Sequence, residues 1–134
     1  MLRPKTVELL KEEAIKAQKN AFSPHSGFQV GAAVLTASGN VYRGCNIEND
    51  SFSLTICAER CAIFKAISEG EREIRAIAIV LPTENPESSV PCGACRQVMT
   101  QFAQELSIIL VSQSGIKIME LQELFPTPFR LSSV

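Results

Sequence analysis

The stretch IRAIAIVL, residues 74–81, is the most continuous apolar run in the chain. A run of this length is typical of a strand that is buried on both faces. The segment before it, Cys57–Ser68, carries helix formers with apolar residues on one side. After a polar loop at Pro82–Val90, a second predicted helix, Cys92–Leu106, leads into another apolar strand, Ser107–Val111. Because strand-helix-strand connections favour parallel pairing, we expect these two strands to lie parallel in one sheet.

The flanking segments extend this sheet. Apolar residues recur every three or four positions over Thr6–Ala21, which predicts an amphipathic helix. Phe28–Thr36 is predicted as a buried strand that turns at a Ser-Gly-Asn sequence into Val41–Arg43, forming a hairpin. The remaining predicted elements are a short strand at Ile116–Met119 and a helical turn near Leu121–Leu124. Together they predict a single α/β domain, residues 1–134, built as a three-layer α/β/α sandwich with one mixed sheet of about five strands.

The composition excludes several classes of protein. With 134 residues, 46% hydrophobic and 20% charged, the chain is too apolar for a disordered segment. A net charge of −1 gives no basic surface for a nucleic-acid backbone, and no stretch approaches the ~20 apolar residues of a membrane-spanning helix. The mean hydropathy of +0.12 is high for so small a domain and favours self-association. An odd number of cysteines, five, behind a start that lacks a signal sequence favours the reducing cytoplasm.

Two cysteine-containing segments begin predicted helices. They are Cys57-Ala58-Glu59-Arg60 and Pro91-Cys92-Gly93-Ala94-Cys95. Cysteines three positions apart lie on one face of a helix, so Cys92 and Cys95 are placed to bind one metal ion. The free N–H groups at a helix start favour thiolate over thiol. Inside a helix Cys57 and Glu59 diverge, so they share a site only if Cys57 caps the helix start.

Three kinds of site fit a Cys-x-x-Cys pair in a cytoplasmic protein: a thioredoxin-type redox pair, half of a structural zinc site, and part of a catalytic zinc site. A redox pair usually follows the first strand of its domain, whereas this one follows two predicted helices. A structural zinc ion needs a fourth ligand, for which the chain offers Cys45, Cys61 or His25. Three thiolates with one open position fit better, because Glu59 is then placed to move the proton of a water molecule bound there.

The charge of such a site gives a role to a neighbouring arginine. Three thiolates on Zn²⁺ carry a net charge of −1, which weakens the ion as a Lewis acid. Two helix N-termini offset part of that charge. We expect Arg60 to offset more of it by donating charge-assisted hydrogen bonds to the sulfurs. The alternative is an arginine on a solvated helix face.

These motifs resemble those of the small cytidine deaminases, in which Cys-Ala-Glu and Pro-Cys-x-x-Cys form the zinc deaminase signature. The matching segments are Phe28–Ala33, Gly44–Asn49, Ile56–Arg60, Pro91–Val98 and Glu123–Pro126 with Phe129. The resemblance spans nearly the whole chain, in order. It implies a cytidine deaminase-like fold, one Zn²⁺ per chain, and a cytoplasmic homotetramer with active sites shared between subunits.

The resemblance also implies a role for each matched residue. The zinc ligands are Cys57, Cys92 and Cys95, and Glu59 shuttles protons. The implied substrate contacts are Asn46 and Glu48 for the ribose, Phe28 for the pyrimidine, Ala58, and Phe129, which reaches the base pocket of the adjacent subunit. From the residue types alone, Phe28 is more often a core side chain and Asn46 a turn residue.

The implied reaction is hydrolytic deamination of cytidine and 2′-deoxycytidine to uridine and 2′-deoxyuridine with release of ammonia, a step of pyrimidine salvage. The alternative is a deaminase of a related cytosine nucleoside or of a nucleoside antibiotic; Asn46 and Glu48 favour a nucleoside over a free base. A polynucleotide deaminase needs a basic groove, and a non-enzymatic zinc module leaves the glutamate without a role. We therefore expect a small-molecule partner, with no nucleic acid and no membrane. The chain departs from the family pattern at His25 and Phe52, where Tyr is common, and in its short tail after Phe129.

Overall fold

The computed structural model describes residues 2–85 and 90–131. Within them, five strands form one mixed sheet and helices cover both of its faces, which confirms the predicted fold class. The strands are β1 (Gly31–Thr36), β2 (Val41–Cys45), β3 (Ile74–Val80), β4 (Ser107–Ser112) and β5 (Gly115–Glu120). The helices are α1 (Pro4–Gln18), α2 (Ala58–Ser68), α3 (Gly93–Phe102) and α4 (Leu121–Leu124), with a 3₁₀ turn at Phe52–Leu54.

The sheet order is β2-β1-β3-β4-β5, with β3 at the centre. β1 pairs antiparallel with β2 and with β3, and β5 pairs antiparallel with β4. β3 and β4 are parallel, connected through α3. The predicted hairpin and the predicted parallel pair are both confirmed.

The central strand is buried on both faces, as its apolar run predicts. Ile77 and Ile79 belong to the core cluster beneath α2 and α3, whereas Ala76 and Ala78 belong to the cluster beneath α1. The alternation follows from the two-residue period of a strand. At these four positions β3 therefore directs isoleucines toward the cysteine-bearing helices and alanines toward α1.

Two glycines set how closely the helices approach the sheet. A Cβ atom at Gly31 would lie 2.1 Å from the carbonyl oxygen of Ala14 in α1. One at Gly44 would lie 2.3 Å from the backbone nitrogen of Ala62 in α2. Because the clashing atoms are backbone atoms that cannot rotate away, any side chain here displaces a helix. Gly44 therefore fixes the helix whose start carries Cys57 and Glu59.

The first strand begins later than predicted. β1 starts at Gly31 rather than Phe28. The Asn46 side chain binds this stretch instead: its amide donates to the Phe28 carbonyl at 2.7 Å and accepts from the Val30 N–H at 2.9 Å. The Asn46 side chain thus holds this backbone, and one backbone hydrogen bond, from the Asn46 N–H to the Val30 carbonyl at 3.3 Å, joins it to the chain after β2.

Two helix boundaries also differ from the predictions. α3 ends at Phe102 rather than Leu106, because buried Ala103 adopts extended backbone with φ −142° and ψ 135°. α1 spans Pro4–Gln18 rather than Thr6–Ala21, because Pro4 suits the first turn, where an N–H has no partner to lose. The predicted loop Pro82–Val90 lies partly outside the described residues. In the described part of the chain, no helix has the length and apolar character to cross a bilayer.

Candidate metal centre and substrate cavity

Three thiol groups converge where α2 and α3 begin. Cys57 is the N-cap residue of α2, Cys92 is the N-cap residue of α3, and Cys95 lies in the first turn of α3. Their Sγ atoms all lie within 4.8 Å of one another. The condition that Cys57 must cap its helix for Glu59 to share the site is met, since its backbone is extended with φ −74° and ψ 152°.

The donor set fits a zinc ion. Zinc accepts cysteine thiolates at ~2.3 Å, which in a tetrahedron separates the sulfurs by about 3.8 Å. The sulfurs of Cys92 and Cys95 are 3.4 Å apart and the third sulfur lies within 4.8 Å, so small side-chain rotations satisfy that geometry. Among the described residues no other trio of metal-ligating side chains converges. Cys45, Cys61 and His25, the alternatives for a fourth ligand, lie outside this group.

The cluster is built to hold negative charge on sulfur. A hydrogen bond with the Cys95 side chain, assisted by the Arg60 guanidinium, lowers the pKa of Cys57 to about 5. The same hydrogen bond and burial raise the pKa of Cys95. The thiolate form of Cys57 is therefore favoured, with the Cys95 side chain as its hydrogen-bond partner.

Arg60 lies beside the Cys57 sulfur, as predicted for a residue that offsets the negative charge of the thiolates. Its Nη2 lies 3.4 Å from the Cys57 Sγ. The hydrogen bond with Cys57 raises the pKa of Arg60, so the guanidinium stays charged. Its Nε is buried and has no hydrogen-bond partner within the described residues, which indicates a side chain held by the sulfur rather than solvated on a helix face.

Glu59 lies in the first turn of α2 and is only 7% exposed. Burial raises the pKa of this carboxyl above its ordinary value, and the negative charge of Cys57 acts in the same direction. The backbone N–H of Glu59 itself and the Cys95 thiol oppose that shift through hydrogen bonds. A carboxyl with a raised pKa exchanges protons closer to neutral pH, which suits a general acid and base.

A cavity of about 210 Å³ opens beside the thiols. Cys57, Ala58 and Glu59 from the start of α2 line it together with Phe28 and Asn46. The complete lining is Ser26, Phe28, Val30, Asn46, Thr55, Ile56, Cys57, Ala58 and Glu59. The structure thus brings one ring, one amide, one carboxyl and one metal-binding sulfur to a single space.

Asn46 has two tasks. Its amide holds Phe28 and Val30 through the two hydrogen bonds that end β1 early. An asparagine side chain offers two N–H donors and two acceptor sites, so one donor and one acceptor site remain for a ligand. Asn46 therefore orients the wall that carries Phe28 and still faces the cavity.

Glu48 lies just outside the cavity lining and is held by the loop before β1. One carboxylate oxygen accepts from the backbone N–H of His25 at 2.8 Å and of Ser26 at 3.1 Å, and the other accepts from the Ser26 hydroxyl. These bonds, with the Ser26 hydroxyl contributing most, lower the pKa of Glu48. Ser26 was not among the predicted site residues; the sequence signal for it is a hydroxyl in a turn two residues before Phe28.

Phe129 does not reach the cavity of its own chain. Its side chain is 66% exposed. The segment that carries it is tied to α3 by three side-chain-to-backbone hydrogen bonds: Arg96 to the Leu124 carbonyl at 2.8 Å, Gln97 to the Phe129 carbonyl at 2.9 Å, and Arg130 to the Thr100 carbonyl at 3.2 Å. The Phe129 backbone is thus fixed, while its side chain is exposed and does not line the cavity.

His25 and Phe52, the two departures from the family pattern, lie against each other. Their ring centroids are 5.1 Å apart and the planes cross at 71°. The His25 Nε2 also lies 3.1 Å from an Asp50 carboxylate oxygen. The loop that carries His25 and the turn that carries Phe52 are therefore joined by an edge-to-face ring contact.

Comparisons with known proteins agree with this geometry. The family profile described as "Cytidine and deoxycytidylate deaminase zinc-binding region" matches residues 4–111. A cytidine deaminase of Sporosarcina psychrophila is 49% identical over 110 residues, covering 81% of this chain and 79% of that protein. A cytidine deaminase of Halalkalibacterium halodurans is 48% identical over 124 residues, covering 91% and 92% of the two chains.

Solved structures show the same similarity. The crystal structure of cytidine deaminase from Burkholderia pseudomallei is 41% identical and superimposes with a TM-score of 0.85, over 91% of this chain and 98% of that one. Cytidine deaminase from Mycobacterium tuberculosis is 32% identical with a TM-score of 0.75, over 92% and 97%. With the thiol trio and the buried glutamate in place, the chain belongs to the cytidine and deoxycytidylate deaminase zinc-binding family.

Proposed function

We propose that this protein is a zinc-dependent cytidine deaminase that hydrolyses cytidine and 2′-deoxycytidine to uridine and 2′-deoxyuridine and releases ammonia. One observation carries the proposal: Phe28, Asn46, Cys57 and Glu59 line a single cavity. A flat base, a polar sugar and a hydrolytic centre each find a suitable group there. The relatives named above are cytidine deaminases, and this chain matches them over most of their length.

Cys57, Cys92 and Cys95 are the residues that would hold the ion, one per chain. A zinc ion held by three protein ligands acts as a Lewis acid and lowers the pKa of water in its open position. The Cys57 thiolate is ready for binding because its pKa is already about 5. Arg60 stays charged beside it and limits the negative charge that three sulfurs place on the site.

Glu59 carries the protons of the reaction. As carboxylate it accepts a proton from the attacking water while the oxygen bonds to C4 of the base, and it passes that proton to N3. The proton of the new C4 hydroxyl then passes through Glu59 to the exocyclic nitrogen, the C4–N bond breaks as the C4 carbonyl forms, and ammonia leaves. Burial raises the pKa of Glu59 toward the pH at which the enzyme works, which suits a group that must take up a proton and then give it back.

The remaining cavity residues bind the nucleoside. Phe28 packs on the pyrimidine, and Ala58 contributes to the floor beside Glu59. Asn46 has one donor and one acceptor site left for a sugar hydroxyl. Glu48, as an ionised carboxylate, accepts a hydrogen bond from a sugar hydroxyl. A carboxylate at the sugar favours a nucleoside over a nucleotide, because the phosphate of a nucleotide carries the same sign of charge.

The enzyme acts as a cytoplasmic homotetramer whose active sites are shared, with Phe129 closing the base pocket of a neighbour. Support comes from its ring, which is 66% exposed and outside its own cavity, and from exposed Phe22, Phe52 and Leu54. Free thiols at all five cysteines are consistent with the cytoplasm. Mixing tests the sharing: Phe129→Ala subunits with inactive Glu59→Gln subunits should regain a normal KM in mixed tetramers. A KM that stays raised in the mixture contradicts a shared site.

A substrate panel tests the proposed function. The fall of absorbance in the cytidine band is followed with cytidine, 2′-deoxycytidine, a sugar-modified cytosine nucleoside, a cytosine nucleoside antibiotic, cytosine, 2′-deoxycytidine 5′-phosphate and a short single strand, and zinc is measured per chain. We expect one zinc ion and turnover of the first two compounds. Turnover confined to another cytosine nucleoside or a nucleoside antibiotic supports the alternative substrate. Zinc without turnover of any compound indicates a binding module.

A further inference from the structure

Ser26 joins the two substrate-facing walls through one hydroxyl group. The Ser26 hydroxyl donates to a carboxylate oxygen of Glu48 and accepts from the Phe28 N–H at 3.0 Å. The Ser26 backbone N–H donates to the other Glu48 oxygen at 3.1 Å. Ser26 also lines the cavity that holds Glu59. One residue therefore contacts the proposed sugar-binding carboxylate and the backbone of the proposed base-stacking ring.

These contacts leave the Glu48 carboxylate one site at which it can accept a further hydrogen bond. A carboxylate offers about four acceptor sites, two on each oxygen. The N–H groups of His25 and Ser26 occupy both sites of one oxygen, and the Ser26 hydroxyl occupies one site of the other. The site that remains open is next to the Ser26 hydroxyl. A ligand hydroxyl that uses it lies beside the residue that lines the cavity.

We infer that Ser26 is a positioning residue, which holds Glu48 at the sugar and Phe28 at the base in a fixed relation. The inference rests on the proposed function for the identity of the ligand, a pyrimidine nucleoside. Ser26 itself takes no part in bond breaking. Its loss loosens nucleoside binding while the thiols and Glu59 keep their places in α2 and α3.

The charges around Glu48 define the pH dependence that a positioning role predicts. His25 lies in the same loop as Ser26 and donates its backbone N–H to Glu48, and its charge also lowers the pKa of that carboxyl. Asp50 pairs with the His25 ring. Ser26→Ala removes the largest of the influences that lower the pKa of Glu48 and leaves His25 and Asp50 in place. Because the nucleoside needs the carboxylate form, the KM of the variant should begin to rise at a higher pH than the KM of the wild type when the solution is acidified.

Ser26→Ala is compared with two matched variants. Ser23→Ala removes a buried hydroxyl from the same loop, and that hydroxyl has no hydrogen-bond partner within the described residues. Ser26→Thr retains a hydroxyl at the position. All variants are matched for zinc content and melting temperature before kinetics are measured with cytidine.

For Ser26→Ala we expect KM to increase about tenfold, the effect of losing one hydrogen bond to a charged group, with kcat within about twofold of the wild type. Ser26→Thr should recover most of the loss, and Ser23→Ala should behave as the wild type. An equal loss in Ser23→Ala and Ser26→Ala would overturn the inference, because it would indicate general loosening of the loop. An unchanged KM and an unchanged pH profile in Ser26→Ala would do the same.

A measurement without turnover separates this inference from the proposed function. The Glu48 side-chain carboxyl is titrated by ¹³C nuclear magnetic resonance, with Glu48→Gln used to assign its signal. In Ser26→Ala the pKa of Glu48 should move toward its ordinary value. A pKa that does not move overturns the role of Ser26 even if cytidine is deaminated. If the wild type does not deaminate cytidine, the proposed function fails, and the titration still decides whether Ser26 holds Glu48.

Discussion

Replacement of Gly44 by alanine tests whether the closeness of α2 to the sheet sets the metal centre. The new Cβ would lie 2.3 Å from the Ala62 nitrogen and 2.8 Å from the Ala58 carbonyl oxygen. Neither atom belongs to a flexible side chain, so α2 must move away from β2. Overpacking of this kind costs about 1–3 kcal/mol, and contact with backbone on two sides places Gly44→Ala near 3 kcal/mol. For a chain of 134 residues this lowers the melting temperature by roughly 10 °C.

The displaced helix carries Cys57 at its N-cap, so zinc affinity should fall as well. A shift in the support of one ligand costs roughly tenfold or more in affinity. Gly31→Ala is the matched control, since its Cβ would clash with Ala14 in α1 on the opposite face of the sheet. Thermal unfolding of the zinc-loaded protein gives stability, and competition with a chelating dye gives affinity.

Both glycine variants should lose stability, and only Gly44→Ala should lose zinc. Gly93→Ala, where a Cβ meets no atom within 4 Å, should melt close to the wild type. The reasoning fails if Gly44→Ala keeps its melting temperature. It also fails if Gly31→Ala and Gly44→Ala weaken zinc binding equally, because the effect would then be global.

Three further changes have defined outcomes. Glu59→Gln should keep zinc and nucleoside binding but lose turnover by ~10²–10⁴-fold or more, and a near-normal kcat in the zinc-loaded variant would refute its role. Arg60→Gln should lower kcat or release zinc more readily in dialysis against chelator; a variant equal to the wild type in both would return Arg60 to a passive helix position. Glu71 accepts hydrogen bonds from Ser38 and three other side chains, which lower its pKa in the folded protein. The ionised Glu71 carboxylate therefore stabilises the fold above the ordinary carboxyl pKa, and this stabilisation is lost as the pH falls. In Glu71→Gln the free energy of unfolding, measured by urea titration, should fall less between roughly pH 5 and pH 3 than in the wild type.

The fold was predictable from sequence wherever one local pattern decided it. The continuous apolar run predicts β3, and the Ser-Gly-Asn turn predicts the hairpin of β1 and β2. The start of β1 was not predictable, because the Asn46 side chain, distant in sequence, binds Phe28 and Val30 in place of a strand. The end of α3 at Phe102 was equally hidden, since buried Ala103 turns the chain although its residue type favours a helix.

In the candidate site, too, features that depend on local spacing were predictable, and features that depend on distant residues were not. Spacing within each motif predicts that Cys92 and Cys95 share a helix face and that Cys57 must cap α2 to join them. The hold of Ser26 on Glu48 depends on a turn that brings together residues far apart in sequence, which no spacing encodes. The role of Phe129 at a neighbouring subunit stays a prediction drawn from resemblance, and the exposure of its side chain could not be predicted from the sequence.

The bonds that tie the segment from Leu124 onward to α3 have a practical consequence for handling this protein. Arg96 and Gln97 sit within one turn of Cys95 and donate to carbonyls of that segment, so any load on the segment is transmitted to the turn that begins with Cys92. A purification handle or surface attachment beyond Phe129 would pull on this connection. An attachment before α1 would meet the opposite face of the sheet, away from both cysteine-bearing helices. Immobilised preparations should therefore be anchored through the α1 end.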